Sequence, residues 1–397
     1  MFRVAVEMLM GDKTKYIGLL VGITFTAFLM TFALSYFAGF MSRGFALVSE
    51  NPSADIWVMD SAVNSTEATI NMSDSALARI KSVSGVSNAM PLYIGDVTAR
   101  YANGAFQSFR MIGVDDATLS GSPKENNGMG ENALRLPQSV IVDNGGTVGK
   151  LQTPKLKKDM WPFDGVHLNV PKRELAFGDE MLIDDKRVVV SGVSQMLPRF
   201  PPRALIYTTI SNFKRLIPSQ SQRLTFVMLK AQKGVSTEKL ASQITKQTGL
   251  KAITKDAFKK ETVLWYLTNS EDVGDMMSMV ILAMLVGFGV TGVMLYIFTN
   301  ENLKQYAVLK AMGASNKQLR VMIFTQVFIG VLIGSGIGIG LCAITGELIS
   351  GVAYPFRMMW FAPLVGFLGV LIVSITAGII SVRPVIKLEP AIVFSGR

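Results

Sequence analysis

Residues 17–40 read IGLLVGITFTAFLMTFALSYFAGF. The run contains no charged side chain. At about 1.5 Å of rise per residue, a helix of this length crosses a hydrocarbon core of about 30 Å. Arg3, Lys13 and Lys15 precede the run, and Ala33-Leu34-Ser35 loosely resembles a signal-peptidase site. A signal peptide's apolar region is only about 7–15 residues long, however. The reading is therefore an uncleaved membrane helix.

Three more stretches have the same character: Met276 to Thr299, Val321 to Ile349 and Phe361 to Val382. The only ionisable side chain in any of them is Glu347, at the end of the third. Ion- and proton-coupled carriers keep charged groups near the midplane, so a secondary transporter is disfavoured. Short-loop charge sets the orientation. Arg3, Lys13 and Lys15 mark the N-terminal tail; Lys304, Lys310, Lys317 and Arg320 mark the 300–320 loop; Arg383, Lys387 and Arg397 mark the C-terminal tail. The 350–360 loop has only Arg357. Both tails and the 300–320 loop are thus expected in the cytoplasm of a bacterium, with the chain in its inner membrane. The expected order is a tail at 1–16, a first span at 17–40, a periplasmic domain at 41–275, a second span at 276–299, a cytoplasmic loop at 300–320, a third span at 321–349, a periplasmic loop at 350–360, a fourth span at 361–382 and a tail at 383–397. The fold class is helical membrane protein with a large α/β domain inserted between spans one and two.

Composition agrees. Over 397 residues, 49% are hydrophobic and 17% charged, with a mean hydropathy of +0.37, whereas soluble domains carry roughly 25% charged residues. The formal net charge is +10, but the densest basic run, Lys155, Lys157 and Lys158, lacks interleaved aromatics, which argues against nucleic acid. The lone Cys342 lies inside the third span and His167 has no ligand-like neighbours, so neither disulfide nor metal chemistry is expected. Asn64-Ser65-Thr66 and Asn71-Met72-Ser73 are short glycosylation-like matches without weight here.

Within 41–275, Ala54 to Met59 reads as a strand, Asp74 to Lys81 as a helix capped by Ser73, and 92–101 and 105–114 as strands. Gly178 to Val190 reads as a hairpin turning at Asp184-Asp185, Leu224 to Lys230 as a strand, and Thr237 to Gln247 as a helix. The pattern suggests a domain interrupted by a smaller one over about 140–205. Residues 118–135 read as a mobile loop, and Pro198, Pro201 and Pro202 with Arg199 and Arg203 as a rigid surface turn. Residues 256–275 read as a helix or stalk into the second span. Asn144 to Leu151 imitates a phosphate loop but has Asn144 where the first glycine belongs and Leu151 in place of Ser or Thr. No nucleophile elbow, zinc motif or dinucleotide fingerprint appears, so no enzyme and no directly bound cofactor is expected.

The 300–320 loop is the most informative segment. From Glu301 no helix breaker occurs until Gly313. Leu303, Tyr306 and Ala307 share one helical face; Val308, Ala311 and Met312 share another. Gly313 is a natural stop, and Ser315 with Gln318 makes a capping box for the next helix. A short helix with apolar residues facing the cytoplasm asks for a protein partner or the membrane interface. In the third span, Gly330/Gly334, Gly334/Gly338 and Gly336/Gly340 are small-xxx-small pairs, which serve either packing within one chain or a face toward a second copy.

Leu309-Lys310-Ala311-Met312-Gly313-Ala314-Ser315 resembles the signature of the FtsX/MacB-type ABC transporter permeases. Val83-Ser84-Gly85-Val86, Ile112-Gly113-Val114-Asp115, Gly178-Asp179 and Gly192-Val193 are similar to that family's periplasmic domain, and Arg383-Pro384 with Glu389-Pro390-Ala391 to its C-terminus. Ala54-Asp55-Ile56-Trp57 and Tyr306-Ala307 resemble its DevC-like branch, permeases of glycolipid and lipophilic-compound exporters. The family's common Glu-Ile-Gly is Gln305-Tyr306-Ala307 here, which removes the glutamate a salt bridge to the ATPase would use. The resemblance implies a homodimer with two separate cytoplasmic ATPase subunits that hold the ATP and Mg. Their closure would push on Glu301, Lys304, Tyr306, Ala307, Leu309, Lys310, Met312, Gly313, Ala314 and Ser315. It implies helix packing or dimer contact at Gly330, Gly334 and Gly338. It further implies a periplasmic adaptor, a TolC-like outer-membrane channel and export of a lipid, glycolipid or hydrophobic compound. The alternative is an FtsX-like regulator that activates a periplasmic enzyme or signals envelope stress and transports nothing.

Overall fold

The computed structural model describes residues 2–11, 13–147, 149–155, 167–350 and 354–386. Val148, Lys157, Lys158 and the tail bearing Lys387, Glu389-Pro390-Ala391 and Arg397 lie outside the described residues. In chain order the helices are α1 (Phe2–Gly11), α2 (Lys13–Gly44), α3 (Ala46–Ser49), α4 (Ser75–Lys81), α5 (Ile210–Leu216), α6 (Thr237–Thr248), α7 (Lys255–Asn269), α8 (Glu271–Glu301), α9 (Leu303–Ala311), α10 (Asn316–Ser350) and α11 (Phe361–Ile386). The strands are β1 (Ile56–Met59), β2 (Met72–Ser73), β3 (Val86–Arg100), β4 (Phe106–Val114), β5 (Asn126–Gly128), β6 (Ser139–Asp143), β7 (Gln152–Pro154), β8 (Lys172–Glu174), β9 (Glu180–Ile183), β10 (Lys186–Ser194), β11 (Leu205–Thr209), β12 (Arg223–Leu224), β13 (Phe226–Ala231) and β14 (Lys251–Thr254). The chain divides into two units, Met1–Phe40 with Glu271–Arg397, and Met41–Ser270.

In the first unit α2, α8, α10 and α11 are 32, 31, 35 and 26 residues long. Each exceeds the roughly 20 residues a span needs, and all four are apolar enough to cross a membrane. Their charged residues sit in terminal turns. Leu19, Ile23 and Ala27 of α2, Leu295 and Phe298 of α8, Met322, Ile323 and Val327 of α10, and Val370 and Ala377 of α11 form one core. Lipid tails are as apolar as leucine, so close packing must supply much of the cohesion. Thr26 reaches across to α8, its Oγ1 lying 2.8 Å from the Thr291 hydroxyl.

Glycine makes the close approaches. A Cβ at Gly338 would lie 2.5 Å from the Thr24 carbonyl oxygen and 2.7 Å from Ala27 Cβ; at Gly334 it would meet Ile23 Cγ2 at 2.7 Å. Gly336 and Gly340 face open space. The Gly330, Gly334 and Gly338 stripe therefore packs against α2 of the same chain. Gly338→Ala should destabilise this unit by about 1–3 kcal/mol through overpacking against backbone. Gly336→Ala should leave the thermal midpoint in detergent unchanged, and equal midpoints for the two variants would refute this packing.

In the second unit β1 is buried along its whole length. Ile56 and Val58 face α4 and α6 with Ile80, Leu240 and Ile244, while Trp57 faces Phe226, Met228 and Phe258 of α7, as strand alternation requires. The order β14-β1-β13-β3 is antiparallel throughout. β3 then continues beyond this sheet. From Tyr93 it pairs with β4, and the path runs on through β11, β6 and β10. β9 pairs with β10 and also with the far end of β3, Ala99 opposite Ile183 and Arg100 opposite Leu182. These strands close a ring, which leaves them no free edge, around Val97, Phe109, Met111, Val140, Val188 and Ile206.

The smaller body is therefore wider than the expected 140–205. It begins in the middle of β3 and includes β4. One strand serving two sheets carries no mark in the sequence, and β3 does so by pairing with β13 over its first half and β4 over its second. Asp184 and Asp185 turn the β9–β10 hairpin with φ of 49° and 57°, the conformation a two-residue turn of this hand demands. Residues 118–135 are not merely a loop: β5 pairs with Gly192 to Ser194, and Glu131–Arg135 is a 3-10 turn. Asp74, not Ser73, is the N-cap residue of α4; Ser73 lies in β2, and its Oγ accepts from Ser75 N at 3.4 Å. Residues 256–275 are not one helix, because Ser270 is extended (φ −106°, ψ 122°) between α7 and α8.

Candidate functional site

The 300–320 loop folds into α9 for reasons its residues supply. Asn302 closes α8, its Nδ2 donating to Phe298 O at 2.8 Å, and its own carbonyl accepts from Tyr306 N at 3.2 Å. At the other end Gly313 has φ +95°. Ala314 N donates to Leu309 O at 3.0 Å and Gly313 N to Lys310 O at 3.1 Å. That is the paired pattern of a Schellman stop, which glycine accommodates without a Cβ penalty. Ser315 N then donates to Gln318 Oε1 at 2.8 Å and Gln318 N to Ser315 Oγ at 3.3 Å. This reciprocal capping box starts α10.

The two faces of α9 differ as the spacing predicts. Tyr306 and Ala307 are buried and Leu303 is half-buried. Lys304, Val308, Ala311 and Met312 are exposed, Met312 to 71% and Val308 to 43%. Behind the helix, Tyr306 Oη donates to Gln326 Oε1 at 2.9 Å, and Lys310 Nζ donates to Ile386 O of α11 at 2.9 Å. Burial pushes the Tyr306 phenol up, so it stays a donor. Glu301 lies 3.6 Å from Lys15. The result is a short helix ended by a Schellman stop, fixed from behind, presenting an apolar patch edged by lysine.

The expected coupling residues divide accordingly. Glu301, Lys304, Met312, Gly313 and Ser315 are exposed; Leu309, Lys310 and Ala314 are half-buried. Tyr306 and Ala307 are turned inward, so they cannot form a contact surface, and their role is to seat α9. Val308 belongs with the exposed set; its place on the Ala311 and Met312 face was the signal for it.

The second unit holds a buried polar group that the sequence reading placed on the surface. Arg199 is only 8% exposed. Its Nη2 donates to Glu50 Oε2 and, at 3.1 Å, to Tyr207 Oη. Glu50 also accepts from Leu197 N at 2.9 Å. Phe200 O accepts from Tyr266 Oη at 2.9 Å. Burial pushes the Tyr207 and Tyr266 phenols well above their usual range, so both keep their protons. The 194–203 segment therefore ties Glu50, just after α3, and Tyr266, in α7, to the strand β11. Sequence could not reveal this, since an arginine between prolines ordinarily marks a surface turn.

The phosphate-loop imitation is structural. Asp143 Oδ1 accepts from Gly145 N at 2.7 Å, and Gly145 O accepts from Arg199 N at 3.1 Å. Among the described residues no group of His, Cys, Asp and Glu could hold a metal ion. His167 contributes its backbone N–H to Asn103 O at 3.0 Å.

Residues 277–390 match the family described as FtsX-like permease C-terminal. No curated protein matches the chain. Among solved structures, the periplasmic region of MacB from Actinobacillus actinomycetemcomitans is 13% identical, with a TM-score of 0.35, over 53% of this chain and 92% of that one. The extracellular domain of the noncanonic ABC-type transporter YknZ from Gram-positive bacteria is 13% identical, with a TM-score of 0.32, over 51% of this chain and 98% of that one. The matched stretch 277–390 holds nearly all of α8, then α9, α10 and α11. Over those residues, three apolar spans and the helix α9 between two of them, this chain is similar to the FtsX-like permease family.

Proposed function

We propose that the chain is the membrane subunit of a split ABC transporter. A separate ATPase, holding ATP and Mg, docks on the outer face of α9. Its cycle moves the 41–270 unit on the other side of the membrane, and that movement drives a lipid, glycolipid or other hydrophobic compound toward an adaptor and an outer-membrane channel. The observation that carries the reading is α9 itself. Met312 and Val308 are exposed beside Lys304 on a helix whose opposite face is buried and hydrogen-bonded. An apolar patch on a rigid element suits a protein partner. The family similarity over 277–390 supports a permease component rather than an enzyme. The four apolar helices fit a bacterial inner-membrane protein, and loop charge supports a cytoplasmic side for both termini and α9.

The absence of charge from the central turns of the described spans favours work done by domain motion over a midplane substrate site. Affinity purification of the chain in mild detergent should recover an ABC ATPase at near-equal stoichiometry. Recovery of the chain without one, under conditions that keep it folded, would overturn the proposal. Loss of the chain should leave a lipophilic compound retained in the cell; unchanged lipid and drug profiles would favour the regulatory alternative.

A further inference from the structure

Gln326 lies within an apolar span, yet both ends of its amide are used. Oε1 accepts from Tyr306 Oη of α9 at 2.9 Å, and Nε2 donates to Ala5 O of α1 at 3.1 Å. Tyr306 is 1%, Gln326 2% and Ala5 0% exposed. The orientation of the amide follows from its partners. Turned over, it would set its oxygen against the Ala5 carbonyl, two acceptors facing each other. The surroundings are apolar: Leu9, Leu19, Met322 and Ile323 belong to the same core. In such a place a satisfied polar chain fixes a unique arrangement, and a half-satisfied one is costly.

We propose that Tyr306, acting through Gln326, is a positioning residue that fixes α9 to α1 as well as to α10, so that the three helices move as one body. A functional consequence rests on the docking reading above: a push on α9 would be shared with α1 at the start of the chain. The residues also account for the tyrosine of the Gln305-Tyr306-Ala307 departure. A phenol at 306 supplies the hydroxyl that Gln326 needs, and neither an aliphatic side chain nor phenylalanine could.

Hydrogen exchange of the full chain in lipid nanodiscs, without any partner, tests this. Tyr306→Phe keeps the ring but leaves Gln326 Oε1 without its donor. Amides of α1, which Tyr306 does not bond, should then exchange roughly three- to tenfold faster, along with those of α9. The double variant Tyr306→Phe/Gln326→Met removes both polar partners and should bring the thermal midpoint back toward wild type. Its α1 amides should still exchange faster, because the link to Ala5 is gone. Unchanged α1 exchange in Tyr306→Phe would overturn the proposal. So would wild-type α1 exchange in the double variant, since the pair would then be packing alone. Because no ATPase is present, failure here is distinct from failure of co-purification.

Discussion

Met312→Asp should abolish recovery of the proposed ATPase while the chain still inserts and folds. Met312 is 71% exposed, follows the last turn of α9 and is held by Met312 N donating to Val308 O at 3.0 Å. An aspartate there is solvated in the free chain, so the fold loses little. In a complex it would be buried against an apolar partner surface without a counter-charge, at a cost of several kcal/mol. Since about 1.4 kcal/mol is a tenfold change, affinity should fall by at least about a hundredfold. Leu309→Asp is a poorer probe, because Leu309 packs against the core of its own unit. Pull-down with Met312→Asp equal to wild type would remove the docking face from where we place it.

Arg199→Met should cost the 41–270 unit about 3–5 kcal/mol, because it strands the Glu50 carboxylate in a site from which water is largely excluded. Glu50 and Arg199 side chains are 7% and 9% exposed, and Tyr207 Oη would lose its donor as well. For a unit of this size, each kcal/mol shifts the midpoint by roughly 2–4 °C. The double variant Glu50→Leu/Arg199→Met removes both charges and should recover most of the loss. Thermal unfolding followed by proteolysis of residues 41–270 reads the cycle. Additive losses in the double variant would mean the two residues are not coupled as drawn.

What the sequence made legible follows from period and punctuation. Charge-free runs longer than a bilayer core have one reading, and the four long helices sit where those runs lie. The stop of α9 and the start of α10 were equally readable, since Gly313, Ser315 and Gln318 are local signals that act within a few residues of themselves. The Asp184-Asp185 turn belongs to the same class. Long-range features were not readable. That β3 serves two sheets, that β9 returns to Arg100, and that Arg199 is buried against Glu50 all depend on residues distant in the chain. The inward turn of Tyr306 lay between the two cases. Its helical face was correctly grouped with Leu303 and Ala307, but its partner Gln326 lies in another helix.

Sidedness of single cysteines tests whether α9 and the 41–270 unit lie on opposite faces of the membrane. In a Cys342→Ala background, Met312→Cys and Asp185→Cys are treated with a membrane-impermeant maleimide on intact spheroplasts, then after permeabilisation. If α9 and the unit do, position 185 labels in the intact preparation and position 312 only once the membrane is opened. Labelling of both from the same side would contradict it, because α9 could not then receive an ATPase on one face of the bilayer while the 41–270 unit worked on the other.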